Sequence, residues 1–159
     1  MKHPVIQKLR ASVRLSQPGE SPVDGYLCLA PEVEGERRPE TILELLNSSR
    51  RVIPFLRGAD ESVGLLTRLN IDWVVVGGQV DPAWVMPKRF PAMREQSVRL
   101  QFSDGRTMEG DVRWPSPAAT DIRLSDFLND PADFFPLATR VGIMMVNKNR
   151  VRETRVGLE

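Results

Sequence analysis

Hydrophobic positions in this chain fall in short runs, most alternating with polar residues, and turn-forming residues separate the runs. Val13-Arg14-Leu15, Val98-Arg99-Leu100-Gln101-Phe102 and Val112-Arg113-Trp114 place apolar side chains at every second position. That period belongs to a strand with one buried face. The longest apolar stretch, Trp73 to Gly78, is also read as a strand. Ser103-Asp104-Gly105-Arg106 separates two apolar runs and predicts a hairpin, because an Asp-Gly pair suits a tight turn. Ile42, Leu45 and Leu46 break the pattern, and their i, i+3, i+4 spacing predicts a short helical turn.

The pattern recurs along the chain. Residues 41–55 (Thr-Ile-Leu-Glu-Leu-Leu-Asn-Ser-Ser-Arg-Arg-Val-Ile-Pro-Phe) align without a gap on residues 123–137 (Arg-Leu-Ser-Asp-Phe-Leu-Asn-Asp-Pro-Ala-Asp-Phe-Phe-Pro-Leu). Leu46-Asn47 falls on Leu128-Asn129, Glu44 on Asp126, and Pro54 on Pro136. Upstream, Val13-Arg14-Leu15 matches Val98-Arg99-Leu100, and Asp24-Gly25 matches Glu109-Gly110. Downstream, Leu69-Asn70 matches Val146-Asn147. Equivalent residues lie 85, then 82, then 77 positions apart, as loops of different length would produce. Self-similarity of this kind predicts an internal duplication.

Each unit is expected to open with a strand, a turn and a second strand (Val23–Ala30; Thr107–Trp114). A variable loop and the helical turn follow, with Ser125 as N-cap in the second copy. The third strand (Val52–Leu56; Phe134–Leu137) contains a proline, which has no N–H for a ladder, so an edge or bulged position is expected. A closing hairpin, turning at Asn70 or Asn147, completes the unit. Five short strands and one helical turn predict a mainly β fold of two tandem SH3-like or Sm-like partial barrels. Residues 1–78 and 97–159 are the two units, and 79–96 is a proline-rich apolar linker.

Charge and composition bear on function more than on fold. The 159 residues carry 22 basic and 21 acidic side chains, a net charge of +1. That balance supplies no overall field to attract nucleic acid or a membrane surface. Cys28 is the single cysteine, so no intrachain disulfide can form. With no signal-like leader and no run of the ~18–20 apolar residues a membrane helix needs, the expected location is the cytoplasm. The single histidine, His3, leaves no zinc-ligand spacing and no nucleophile–histidine dyad with an orienting partner. Gly77-Gly78 follows an apolar run, yet neither the Rossmann glycine spacing nor a P-loop lysine accompanies it. No catalytic residue, metal ligand or cofactor is expected, and the chain is read as non-enzymatic.

Two features point to binding. Trp84, Met86, Phe90 and Met93 gather in the linker, and aromatics and methionine are enriched at interfaces. These four are the expected partner-binding set, and the alternative is that they staple the two units together. Arg37, Arg38, Arg50 and Arg51 form a basic patch without counterpart in the second unit, where Asp130 and Asp133 stand in place of Ser48 and Arg51. Such a patch can dock on an acidic surface. It can also bind single-stranded RNA, if exposed aromatics lie between the arginines.

At Arg123-Leu-Ser-Asp-Phe-Leu-Asn129, Phe134-Phe-Pro-Leu137 and Val146-Asn-Lys148, preceded by Asp104-Gly-Arg106, the second unit resembles a family of uncharacterised small bacterial β-barrel domains. The resemblance covers about 60 residues there and implies no enzymatic activity. The first unit keeps the Leu-Asn and proline anchors but has Leu69-Asn70-Ile71 where the family has Val-Asn-Lys. The chain is also similar, more loosely, to the small β-domains of flagellar switch and type III secretion rings, which assemble through intertwined dimers. Ala132-Asp133 stands where those domains carry a glycine-aspartate step.

The expected function is a non-enzymatic protein–protein interaction, adaptor or assembly module of the bacterial cytoplasm. Its partner is another protein or a second copy, and no membrane is involved. RNA binding through a Sm-like basic surface is the alternative.

Overall fold

Alternating apolar residues form strands almost wherever they occur, and two five-residue helices interrupt them. A computed structural model describes residues 9–33, 35–58, 62–87, 93–117 and 121–156. In chain order the elements are β1 (Leu9–Ser16), β2 (Val23–Leu29), α1 (Ile42–Leu46), β3 (Val52–Arg57), β4 (Val63–Thr67), β5 (Trp73–Val76), β6 (Met93–Phe102), β7 (Thr107–Pro115), α2 (Leu124–Leu128), β8 (Phe134–Thr139), β9 (Gly142–Asn147) and β10 (Val151–Val156). The fold is mainly β, one open antiparallel sheet in the order β10-β6-β7-β8-β9-β5-β1-β2-β3-β4.

Each half contributes five strands in the same order, with its fifth strand beside its first and its fourth at the opposite side. The halves join where β5 pairs with β9. Val13 lies opposite Gly25, and Val98 opposite Gly110. Pro54 lies opposite Leu65, and Pro136 opposite Met145. Both glycines have the same steric reason. A Cβ on Gly25 would run into the Leu56 carbonyl and stand 2.5 Å from the Phe55 ring. A Cβ on Gly110 would stand 2.6 Å from the Ala138 carbonyl oxygen and 2.7 Å from Leu137 Cγ. Glycine lets the third strand of each half cross the second at close range.

Several sequence expectations are revised. The fourth and fifth strands do not form a closing hairpin. Their corners are 3-10 turns, Arg68–Asn70 and Lys148–Arg150, and the chain crosses from them to the far side of its half. There β5 pairs with β1, and β10 with β6. Val52 lies opposite Thr67 and Phe134 opposite Asn147, so Thr67 rather than Asn70 is the counterpart of Asn147. The prolines lie on interior strands, not edges. Each sits one residue past the end of its ladder to the second strand, which stops at Phe55 or Leu137, so that ladder needs no N–H from it. Ser125 lies inside α2, whose N-cap is Arg123. Only α1 has the full capping box: Glu44 N–H donates to Thr41 Oγ1 (3.2 Å) and Thr41 N–H to Glu44 Oε1 (3.1 Å).

Two cores fill the two halves. The first gathers Ala11, Val13, Leu15, Leu27, Leu29, Ile42, Leu45, Leu46, Ile53 and Phe55. The second gathers Val98, Leu100, Phe102, Val112, Trp114, Phe135 and Leu137. Along the seam the membership alternates. Val74, Val76 and Met145 belong to the first core, and Trp73, Met144 and Val146 to the second. Successive side chains on a strand point to opposite faces, so the two cores lie on opposite faces of the sheet at the seam.

Candidate interaction surfaces

The linker residues do not form one exposed surface. Trp84 ends a 3-10 turn (Pro82–Trp84) that Asp81 caps, its carboxylate accepting from Ala83 N–H at 2.9 Å. Trp84 and Met86 flank buried Val85 and pack half-buried against the first core. Leu43 N–H donates to the Val85 carbonyl (3.1 Å), tying this segment to α1. Met93 opens β6, opposite Pro115. Phe90 lies outside the described residues. Val80 to Met86 form a strap packed on the first core, and Met93 to Gln96 belong to β6.

The arginines divide into two pairs at opposite ends of α1. Arg38 is engaged: it donates to both Glu44 oxygens (2.6 and 2.9 Å) and to Glu36. Its hydrogen bonds with Glu44, then Glu36, raise the guanidinium pKa, and the Arg38 contact lowers that of the Glu44 carboxyl. Arg37 is exposed beside Glu36. Arg50 and Arg51 are exposed past the C-cap of α1, and their carbonyls accept from Arg68. Phe55 and Trp73, the aromatics nearest in pattern, are buried.

Charged and amide side chains also lock the seam, a role the sequence pattern did not assign to any of them. Asp72, with 2% of its side chain exposed, accepts from Arg106 Nη2 (2.6 Å) and Arg150 Nε (2.9 Å). Buried Arg68 donates to Asp133 Oδ2 (2.9 Å), the Leu46 carbonyl (2.8 Å) and the Arg50 carbonyl (2.7 Å). Burial pushes the Asp133 carboxyl up, but hydrogen bonds from Arg68 and Asn149 outweigh it and hold the pKa below its ordinary value. Asn47, the C-cap of α1, pairs with the backbone of one residue of β8: Phe134 N–H donates to Asn47 Oδ1 (2.7 Å), and Asn47 Nδ2 donates to the Phe134 carbonyl (3.1 Å). Asn147 Nδ2 donates to the Leu69 and Ile71 carbonyls, 2.8 Å each.

The remaining feature is the edge at β4, which among the described residues pairs only with β3. Val63 and Leu65 are 67% and 69% exposed, and Val52 beside them on β3 is 42% exposed. Register places Val52, Pro54, Leu65 and Val63 on one face. Their counterparts in the second half are Phe134, Pro136, Met145 and Ile143. There Phe134 and Met145 are buried in the first core, and Ile143 packs half-buried against it. The same stripe is thus covered in one half and bare in the other. The strand Val63-Gly-Leu-Leu-Thr67 carries no charge. The closing hairpin expected from the sequence would have paired β4 with β5, whereas β5 pairs with β1 and β9.

Among the described residues no group of three His, Cys, Asp or Glu side chains is placed to hold a metal ion. Among them, too, no helix is long and apolar enough to cross a membrane. Comparison with protein families, with characterised proteins and with solved structures finds no match.

Proposed function

We propose that the chain is a non-enzymatic protein–protein interaction module, an adaptor or assembly component of the bacterial cytoplasm. In this reading it is built from two tandem copies of one small SH3-like or Sm-like unit. The repeated strand order and the matched registers of Gly25 with Gly110 and Pro54 with Pro136 support the duplication.

One observation carries the functional reading: the bare apolar edge at β4. An edge strand offers unpaired N–H and C=O groups, and proteins usually blunt it with charge, proline or a bulge. β4 has none of these. Added backbone and apolar side chains from another protein satisfy such an edge, as in strand-addition complexes. The RNA alternative is weaker, because Arg38 is committed to carboxylates and the nearby aromatics are buried.

The test immobilises the wild-type chain and a Val63→Lys/Leu65→Lys variant, and challenges both with nuclease-treated lysate of the source organism. The expected result is a defined protein retained by the wild type and lost by the variant, whose urea midpoint stays unchanged. Equal retention by both would remove β4 as the binding surface. Retention that needs intact nucleic acid and falls steeply with salt would favour the RNA reading.

A further inference from the structure

We infer that the occupant of the β4 edge is a second copy of this chain, its β4 pairing antiparallel with the first across a two-fold axis. The inference rests on the proposed reading of that edge as an interaction surface.

The backbone geometry is self-complementary. In the β3–β4 ladder Arg57 N–H donates to the Ser62 carbonyl and Arg68 N–H to the Arg51 carbonyl, both at 2.9 Å. Peptide groups alternate in direction along an antiparallel ladder, so those of Val63, Leu65 and Thr67 turn outward, away from β3. These three residues are symmetric about Leu65. Setting Leu65 opposite Leu65 of the second copy puts Val63 opposite Thr67 in both directions, and each outward N–H faces an outward carbonyl. The bare stripes, Val52, Pro54, Val63 and Leu65, then fall on the same side of the joined sheet and meet edge to edge. No charge on β4 opposes a like charge across the axis.

The seam inside the chain shows that this position accepts a strand, since β9, the counterpart of β4, already pairs with β5. The other sheet edge of a second copy, β10, does not fit. Val76 lies opposite Val13 and Val156 opposite Val98, so Trp73 and Val75 of β5 correspond to Glu153 and Arg155 of β10. Trp73 is buried in the second core, and Val75 packs against it. At a β4–β10 junction the Glu153–Arg155 ion pair would be pressed against the side of the sheet that holds Ile53, Phe55 and Leu66. Burying an ion pair among apolar side chains is unfavourable. β10 is also bulged between Val151 and Glu153, a usual device for closing an edge. Head-to-tail growth is therefore blocked, and a closed two-fold dimer remains.

The experiment is sedimentation velocity of the purified full chain over a dilution series. The wild type should run at twice the chain mass and the Leu65→Lys variant at the chain mass, with matching circular dichroism. In a Cys28→Ser background, Leu65→Cys chains should cross-link through a short bis-maleimide. Val141→Cys chains should not, because Val141 is exposed at the remote β8–β9 turn. A wild type that stays monomeric at every concentration overturns self-pairing. If that monomer still retains a lysate protein in a Leu65-dependent way, the interaction module stands with a different occupant, and without such retention both readings fall. A dimer that survives Leu65→Lys, or that cross-links through Val141, places the interface elsewhere and overturns the inference.

Discussion

Asn47 and Asn129 occupy equivalent positions, and the structure assigns them unequal energies. Each follows the last residue of its helix and donates its backbone N–H back into it, to Leu43 and Ser125, both at 3.0 Å. The helix-terminal contribution is therefore shared. The side chains differ. Asn47 bonds both the N–H and the carbonyl of Phe134, a residue 1% exposed, whereas Asn129 is exposed and has no side-chain hydrogen bond among the described residues. Asn47→Ala removes two bonds of about 0.5–1.5 kcal/mol each and strands a buried N–H and C=O. We expect a loss of about 2 kcal/mol, which for a chain of this length lowers Tm by roughly 4–8 °C. Asn129→Ala should change stability by less than about 0.5 kcal/mol. Urea unfolding of the two variants beside the wild type reads the difference directly in the midpoint at constant m value. Equal effects, or a neutral Asn47→Ala, would refute the assignment of Asn47 as a tie across the seam.

Other outcomes follow from the same coordinates. Gly25→Ala and Gly110→Ala should each cost about 1–3 kcal/mol by overpacking. Gly64→Ala, whose Cβ would meet nothing nearer than 3.9 Å, should stay within about 0.5 kcal/mol, so equal midpoints for all three would undo the steric argument. Trp84→Ala should cost about 2 kcal/mol, roughly half the figure for a fully buried tryptophan, and leave β4-dependent binding intact. Loss of binding with stability intact would return Trp84 to the partner surface. Asp133 and Glu44 have lowered folded-state pKa values. Their contribution is therefore present at neutral pH and is lost as pH falls below about 4, through the folded-state values. Urea midpoints between pH 7 and pH 3 should fall less steeply for Asp133→Asn than for the wild type, and identical slopes would contradict the Arg68–Asp133 pairing.

The strands and both helical turns were legible because period-2 and i, i+3, i+4 patterns report burial directly, and Gly19 and Gly105 take positive φ in the hairpin turns the pattern placed. The residues that the internal match pairs from Val13 to Pro54 take matching registers in the two sets of ladders. The match slipped by three residues at Asn147, which caps the 3-10 corner after β9 as a turn residue would but is also buried in the seam. Pairing was the harder problem. Nothing local distinguishes a hairpin from a 3-10 corner that sends the next strand to the far edge, and that choice decides which strands stay bare. The seam ties were hidden for a related reason. Asp72, Arg106 and Arg150 are ordinary charged residues in sequence, and only the fold brings partners 34 and 78 positions apart into contact.

Because β5 and β9 each serve both cores, neither half can open alone. Releasing β5 would expose Val74 from one core and Trp73 from the other in the same event. Although the chain reads as two modules on a strap, it should therefore melt as one cooperative unit, with calorimetric and van't Hoff enthalpies in agreement. A cut within residues 88–92 would not liberate two foldable pieces. Each fragment would keep a strand whose second face was made for its sibling.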